Sequence, residues 1–221
     1  MSSAGRAVLW DLDGTLVDSA EFHWLAWQEI MSAEGAPITR EQFEASFGRR
    51  NASFLPEWLG PGAPAERVER VGDAKEARYR RYIAERGCEA LPGAAAWVER
   101  LHRDGWWQAV ASSAPRRNIE AVLDGLGLRG FFQAIVSAED VRVGKPDPRV
   151  FLLAAERLGV PAARSVVVED AAAGIEAARR AGMRCIGISR GAPLDADLAV
   201  ASLADLPPDA FHRMLDGAAR L

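Results

Sequence analysis

The sequence predicts an α/β fold: a parallel sheet with helices on both faces, interrupted once by an all-helical insert. Two observations predict it. From residue 93 onward, short apolar runs alternate with helical patterns of about ten or more residues, which is how parallel strands joined by crossover helices read. Between the first apolar run and residue 88 only helical periodicity appears, so that stretch interrupts the α/β unit.

Element by element, "AVLW" (7–10) is a short strand that ends in a turn. "SAEFHWLAWQEIMSAEG" (19–35) places Phe22, Leu25, Ala26, Ile30 and Ala33 at helical spacing. Asp18 or Ser19 is positioned to cap it, with Glu21 completing a box-like start, and Gly35 and Pro37 stop it. Residues 39–46 form a second helix, 49–60 a short one broken at Pro56, and 63–87 a long charged one interrupted at Gly72. Helices are then expected at 93–105, 115–127, 147–159 and 172–182, with strands at 107–112, 132–137, 165–170 and 184–189. An edge strand and a short helix within 195–217 complete the pattern.

Composition narrows the function. The chain has 221 residues, 49% hydrophobic and 26% charged, enough to bury a core in one domain or a domain with an insertion. A net charge of −4 gives no reason to expect nucleic acid or a membrane surface as partner. Residues 1–10 hold one Arg and no apolar stretch suited to a signal peptide, and no run approaches a membrane span. Cys88 and Cys185 lie far apart, match no metal or redox spacing, and read as reduced thiols of a cytoplasmic protein. The expectation is a monomer or weak dimer acting on a small molecule. Trp97, Trp106 and Trp107 read as packing.

Ligands of an open parallel sheet bind beyond the carboxyl ends of its strands. The first strand delivers Asp11 and Asp13 there, the second Ser112 and Ser113, and the fourth Glu169 and Asp170; the loop after the third carries Lys145. Four carboxylates at one rim raise one another's pKa, and a divalent cation relieves them. All the donors are oxygens, which suits Mg²⁺. Lys145 and the hydroxyls are what a phosphoryl group needs at its remaining oxygens. Taken alone, Asp-x-Asp-Gly is more often a turn, and it falls short of a calcium loop because Leu16 and Phe22 stand where Gly and Glu belong.

"DLDGTLVDS", "ASS", "GKPDP" and "VVVEDAAAGIEAARRAG" together resemble, in order, the four motifs of the haloacid dehalogenase superfamily. The helical insert resembles the small cap of its β-phosphoglucomutase-like subgroup. The resemblance implies that Asp11 is a nucleophile taking the phosphoryl group as an aspartyl-phosphate, and that Asp13 is the acid/base. It implies phosphoryl binding by Ser112 and Lys145, with Ser113 either helping or capping the next helix. It further implies Mg²⁺ held by Asp11, the carbonyl of Asp13 and Asp170, with Glu169 acting through a water. In the cap, "DSAEFHWLAW" resembles the start of β-phosphoglucomutases and of several sugar-phosphate phosphatases, which implies that His23 faces the active site and leaves Trp27 open between site and cap core. "FGRRN" (47–51) offers Arg49 or Arg50 to an anionic substrate group, and Asn51 stands where the mutase pattern expects its arginine. Lys75 falls near another lysine of the mutase cap but reads more readily as a solvated helix face, and Asp18 reads as structural.

The expected architecture is therefore a Rossmann-like parallel-sheet core (1–17 and 91–221) carrying a helical cap (18–90). The expected reaction is Mg²⁺-dependent hydrolysis of a phosphomonoester, such as a small sugar phosphate. The rivals are a β-phosphoglucomutase on the same core and a phospho-acceptor switch. Superfamily dehalogenase chemistry does not want an acid at position 13, so Asp13 speaks against it.

Overall fold

A computed structural model of the chain describes residues 5–46, 49–189, 191 and 193–216. Phe47 and Gly48 of the FGRRN stretch, and Gly217 at the end of the expected last helix, lie outside them. Six strands form one sheet: β1 (Ala7–Trp10), β2 (Trp107–Ala111), β3 (Ala134–Val136), β4 (Ser165–Glu169), β5 (Arg184–Ile188) and β6 (Leu198–Val200). All neighbours are parallel, in the order β3-β2-β1-β4-β5-β6. β1 and β4 are buried at every residue, so their apolar runs are continuous rather than alternating.

Helices α5 (Ala94–Arg103), α6 (Arg116–Gly125) and α9 (Ala210–Leu215) cover one face, around Trp10, Val110, Val168 and Phe211. α7 (Arg149–Leu158) and α8 (Ala172–Arg180) cover the other, around Leu9, Phe151, Val167 and Ala178. Trp97 and Trp106 pack in the first core as expected, whereas Trp107 is 48% exposed. It opens β2 at the sheet's outer margin, before the strand enters the core.

The remaining helices are α1 (Ala20–Ala33), α2 (Arg40–Ser46), α3 (Asn51–Leu59) and α4 (Ala65–Arg86), all between β1 and α5. The outgoing and returning chains run side by side: Val17 bridges Ala90, and Leu91 N–H donates to the carbonyl of Leu16. Trp27, Met31, Phe43, Phe54, Leu55 and Val71 form a core of their own among these helices. The C-terminal half of α4 instead joins the sheet's core through Tyr79, Tyr82 and Ile83.

Three local expectations are corrected. α3 runs through Pro56. A proline here removes one backbone bond, and burial of Phe54 and Leu55 on the same helix outweighs that loss. α4 runs through Gly72, a position that costs about 1 kcal/mol relative to Ala in a helix interior; the bare position faces Asn51 and Leu55 of α3, where an added Cβ would lie within 3.9 Å of both. The start of α1 makes no side-chain cap hydrogen bond, because the Ser19 hydroxyl is used elsewhere.

Candidate active site

The sheet reverses its strand order beside β1: the chain moves outward through β2 and β3, then returns to place β4 on the other side. Such a switch point leaves a crevice at the strands' carboxyl ends. Register fixes what enters it. Trp10 pairs with Val110 and Val168, so Asp11 emerges level with Ala111 and Glu169, and its N–H donates to the carbonyl of Val168. Gly14, at φ +85°, turns the chain immediately afterwards.

Asp11, Asp13, His23, Arg49, Arg50, Ser112, Ser113, Lys145, Glu169 and Asp170 all line one cavity of about 280 Å³ beneath the inserted helices. Lys145 is its electrostatic centre. Its Nζ donates to Asp11 Oδ1 at 2.5 Å and to Glu169 Oε1 at 2.7 Å. The Lys145–Pro146 peptide bond is cis. Glu169 accepts the Ala171 N–H on its other oxygen at 2.7 Å. This folded-back carboxylate occupies the space above Gly174, where an added Cβ would overlap Glu169 Oε1. Ser112 Oγ accepts from the Ala114 N–H at 3.0 Å.

The charges are unevenly settled. Burial alone would discharge Lys145, but Asp11 and Glu169 outweigh it and push its pKa up. Burial also raises Asp11 well above the usual carboxylate range; Lys145 pulls it down, while Glu169 and Asp170 push it further up. Lys145 therefore stays charged, and the repulsion among three carboxylates falls on Asp11.

Asp13 is held in the opposite sense. Burial works against its charge, but hydrogen bonds from His23 and Ser19, with Lys75 behind, keep it below the usual range. Ser19 Oγ donates to Asp13 Oδ1 at 2.5 Å, and His23 Nε2 lies 3.4 Å from the same oxygen. His23 Nδ1 meets Lys75 Nζ at 2.7 Å, and the imidazole stacks on Tyr79 with centroids 4.0 Å apart. These partners assign Nδ1 as acceptor and Nε2 as donor.

Lys75 is only 2% exposed, so its reading as a solvated lysine is corrected. It also donates to Glu76 Oε1, which accepts from Asn51 Nδ2 at 2.7 Å; Glu76 Oε2 accepts from Asn118 Nδ2 on α6 at 2.5 Å. Glu76 and Asn118 have no motif to mark them, because their role depends on α4 and α6 meeting in space; Ser19 reads as a helix cap, and its hydroxyl serves Asp13 instead.

The arginines are corrected too. Arg50 donates to the carbonyls of Val141 and Arg142 at 3.0 and 3.1 Å, joining the inserted helices to the loop that carries Lys145. Arg49 donates to the carbonyl of Ser53 at 3.0 Å and pairs with Glu57 at 3.8 Å. Arg50 thus spends both terminal nitrogens on main-chain carbonyls, and Arg49 directs Nη2 to a main-chain carbonyl and an exposed carboxylate. Trp27 is 2% exposed; it lines the cavity and also packs edge-on to Phe54 and Trp58, so both readings of it hold. Among the described residues no three carboxylates, imidazoles or thiols converge as a metal cluster. The carboxylates of Asp11, Glu169 and Asp170 line the same cavity, and these all-oxygen donors are of the kind that suits a hard cation.

Comparison with known proteins gives the same picture. The chain is 35% identical over 215 residues to a β-phosphoglucomutase of Bacillus subtilis, covering 94% of each. It is 31% identical to a phosphorylated carbohydrates phosphatase of Thermotoga maritima, covering 82% of this chain and 83% of the relative. A crystal structure of CbbY from Rhodobacter sphaeroides with xylulose-(1,5)bisphosphate superposes with a TM-score of 0.82 at 30% identity, covering 91% of this chain and 96% of that one. Residues 6–182 match the model of the haloacid dehalogenase-like hydrolases, and the chain belongs to that family.

Proposed function

We propose that the chain is a Mg²⁺-dependent phosphomonoester hydrolase working through a phosphorylated Asp11, with residues 18–90 as its cap. One observation carries this reading: Asp11, Asp13 and Lys145 meet in one cavity at the switch point, with Lys145 bonded to Asp11 and Asp13 held by Ser19 and His23. Phosphatase-named relatives support the reaction class, and the Thermotoga relative supports small sugar phosphates as the substrate type. The proposed enzyme is cytoplasmic and acts on a small molecule without nucleic acid or membrane, as monomer or weak dimer; among the described residues no helix is long and apolar enough to cross a membrane.

In this mechanism Asp11 attacks phosphorus, the bond to the leaving oxygen breaks, and Asp13 gives that oxygen its proton. Water then attacks phospho-Asp11, Asp13 takes the water's proton, and the bond to Asp11 breaks. Asp13 is ionised in the arrangement seen; a phosphoryl group arriving with its negative charge raises the Asp13 pKa and supplies the acid form. The His23–Lys75 pair orients that carboxylate. Lys145 and Ser112 bind phosphoryl oxygens, and Glu169 holds Lys145. Asp11, the carbonyl of Asp13 and Asp170, with Glu169 through a water, would hold Mg²⁺, which would supply charge to offset the repulsion between the phosphate and the Asp11 carboxylate.

Asp11→Asn tests the reading. It should lower phosphate release by about 10³-fold or more, with no phosphoenzyme trapped on acid quench. Near-normal turnover in this variant contradicts the assignment. A phosphoglucomutase on the same residues remains the second reading because of the Bacillus relative, and the products formed separate the two.

A further inference from the structure

Resting on the hydrolase reading, we propose that the site accepts esters carrying one anionic group only. Its substrates are phosphomonoesters of neutral alcohols with an apolar face, and a second phosphate or carboxylate on the leaving group is refused. The cations of the cavity give the reason. Among the described residues, four Lys or Arg side chains line it: Arg49, Arg50, Lys75 and Lys145. Lys145 sits on Asp11 and belongs to the transferred phosphoryl group. Lys75 is buried between His23 and Glu76. Arg50 uses both terminal nitrogens on main-chain carbonyls, and its Nε is enclosed with no partner. Arg49 is turned to Ser53 and Glu57, 5.8 Å over the ring of Phe54.

What remains of the lining is largely carbon: Trp27, Phe43, Phe54, Ala114, Pro115 and Ala138. Asn51 is committed to Glu76 through its amide nitrogen. A second anion would therefore have to break one of these pairs or lie uncompensated near Asp13 and Glu76, and both routes cost affinity. A neutral alcohol meets no such penalty and gains by covering the aromatic surface. The expected selectivity sets this chain apart from the CbbY relative, whose structure holds a bisphosphate.

The test is phosphate release with Mg²⁺ from two esters of matched shape, 4-carbamoylphenyl phosphate and 4-carboxyphenyl phosphate. The carboxylate should show a kcat/KM lower by on the order of tenfold or more. Equal or better turnover of the carboxylate overturns the proposal while leaving the hydrolase reading intact. Release from neither ester, nor from any sugar phosphate, overturns both. In Arg49→Ala the ratio between the two esters should hold within about twofold, since Arg49 binds neither. A loss confined to the carboxylate ester overturns the proposal.

Discussion

Asp11 and Asp13 are two residues apart, the first buried and the second part-buried, and their neighbours drive them to opposite charge behaviour. Carboxylates crowd Asp11 around one ammonium, whereas Asp13 receives a hydroxyl and an imidazole backed by a buried lysine. The same economy appears at Gly174, whose missing side chain is where Glu169 folds back to reach Lys145. Gly174→Ala should keep its far-ultraviolet circular dichroism but lose about a hundredfold in kcat, because displacing Glu169 frees Lys145 from the phosphoryl position. Unchanged kcat contradicts Glu169 as the anchor of Lys145. Asp11, Ser112, Glu169 and Asp170 were legible because each follows an apolar run whose end the sheet must align, and Lys145 because it stands in the GKPDP loop after the third strand. Glu76 and Asn118 were not, because a carboxylate and an amide on helices look like solvated groups until two helices meet, and Ser19 reads as a helix cap until the turn brings Asp13 beside it. Lys75 reads as solvated because its helix is charged overall, although Val71, Tyr79, Tyr82 and Ile83 mark the buried stripe on which it lies.

At the scale of elements, the parallel alternation was readable throughout, and the observed strands fall within the expected runs. Helix continuity was less so. Pro56 and Gly72 are breakers by local propensity, and packing of α3 against α4 overrode both. Arg50 illustrates the limit for side chains: its position beside the cavity follows from the sequence motif, but its direction is set by the loop of Val141 and Arg142. That loop is itself fixed at its start by Asp140, which accepts from Arg116, Arg157 and Ser137. Burial disfavours the charge on Asp140, but these donors outweigh it and hold its pKa well below the usual range. A depressed folded-state pKa means stabilisation that is present above the ordinary Asp value of about 3.9 and lost as pH falls from there toward the folded value. Asp140→Asn should therefore cost about 1–3 kcal/mol in urea unfolding at pH 7, and the gap to the parent protein should narrow below about pH 4. A gap that stays constant down to pH 3 contradicts a charged Asp140 as the clamp.

For the whole molecule, the sheet brings the reacting groups to one rim, and the inserted helices decide what reaches them. The insert carries its own core, yet α4 also packs into the sheet's core, and its Glu76 bonds Asn118 of α6 beside the site. Enclosure by these helices keeps bulk water from the phosphorylated intermediate and shapes the leaving-group side. The family and the reaction class were legible from four ordered motifs; the selectivity of the site was not, because it rests on which cations are already paired. The most direct test of the central claim is to resolve the products formed from glucose 1-phosphate with Mg²⁺. Hydrolysis predicts free phosphate and glucose in equal amounts, at a rate that falls to background with Asp11→Asn. Glucose 6-phosphate accumulating with little free phosphate contradicts it.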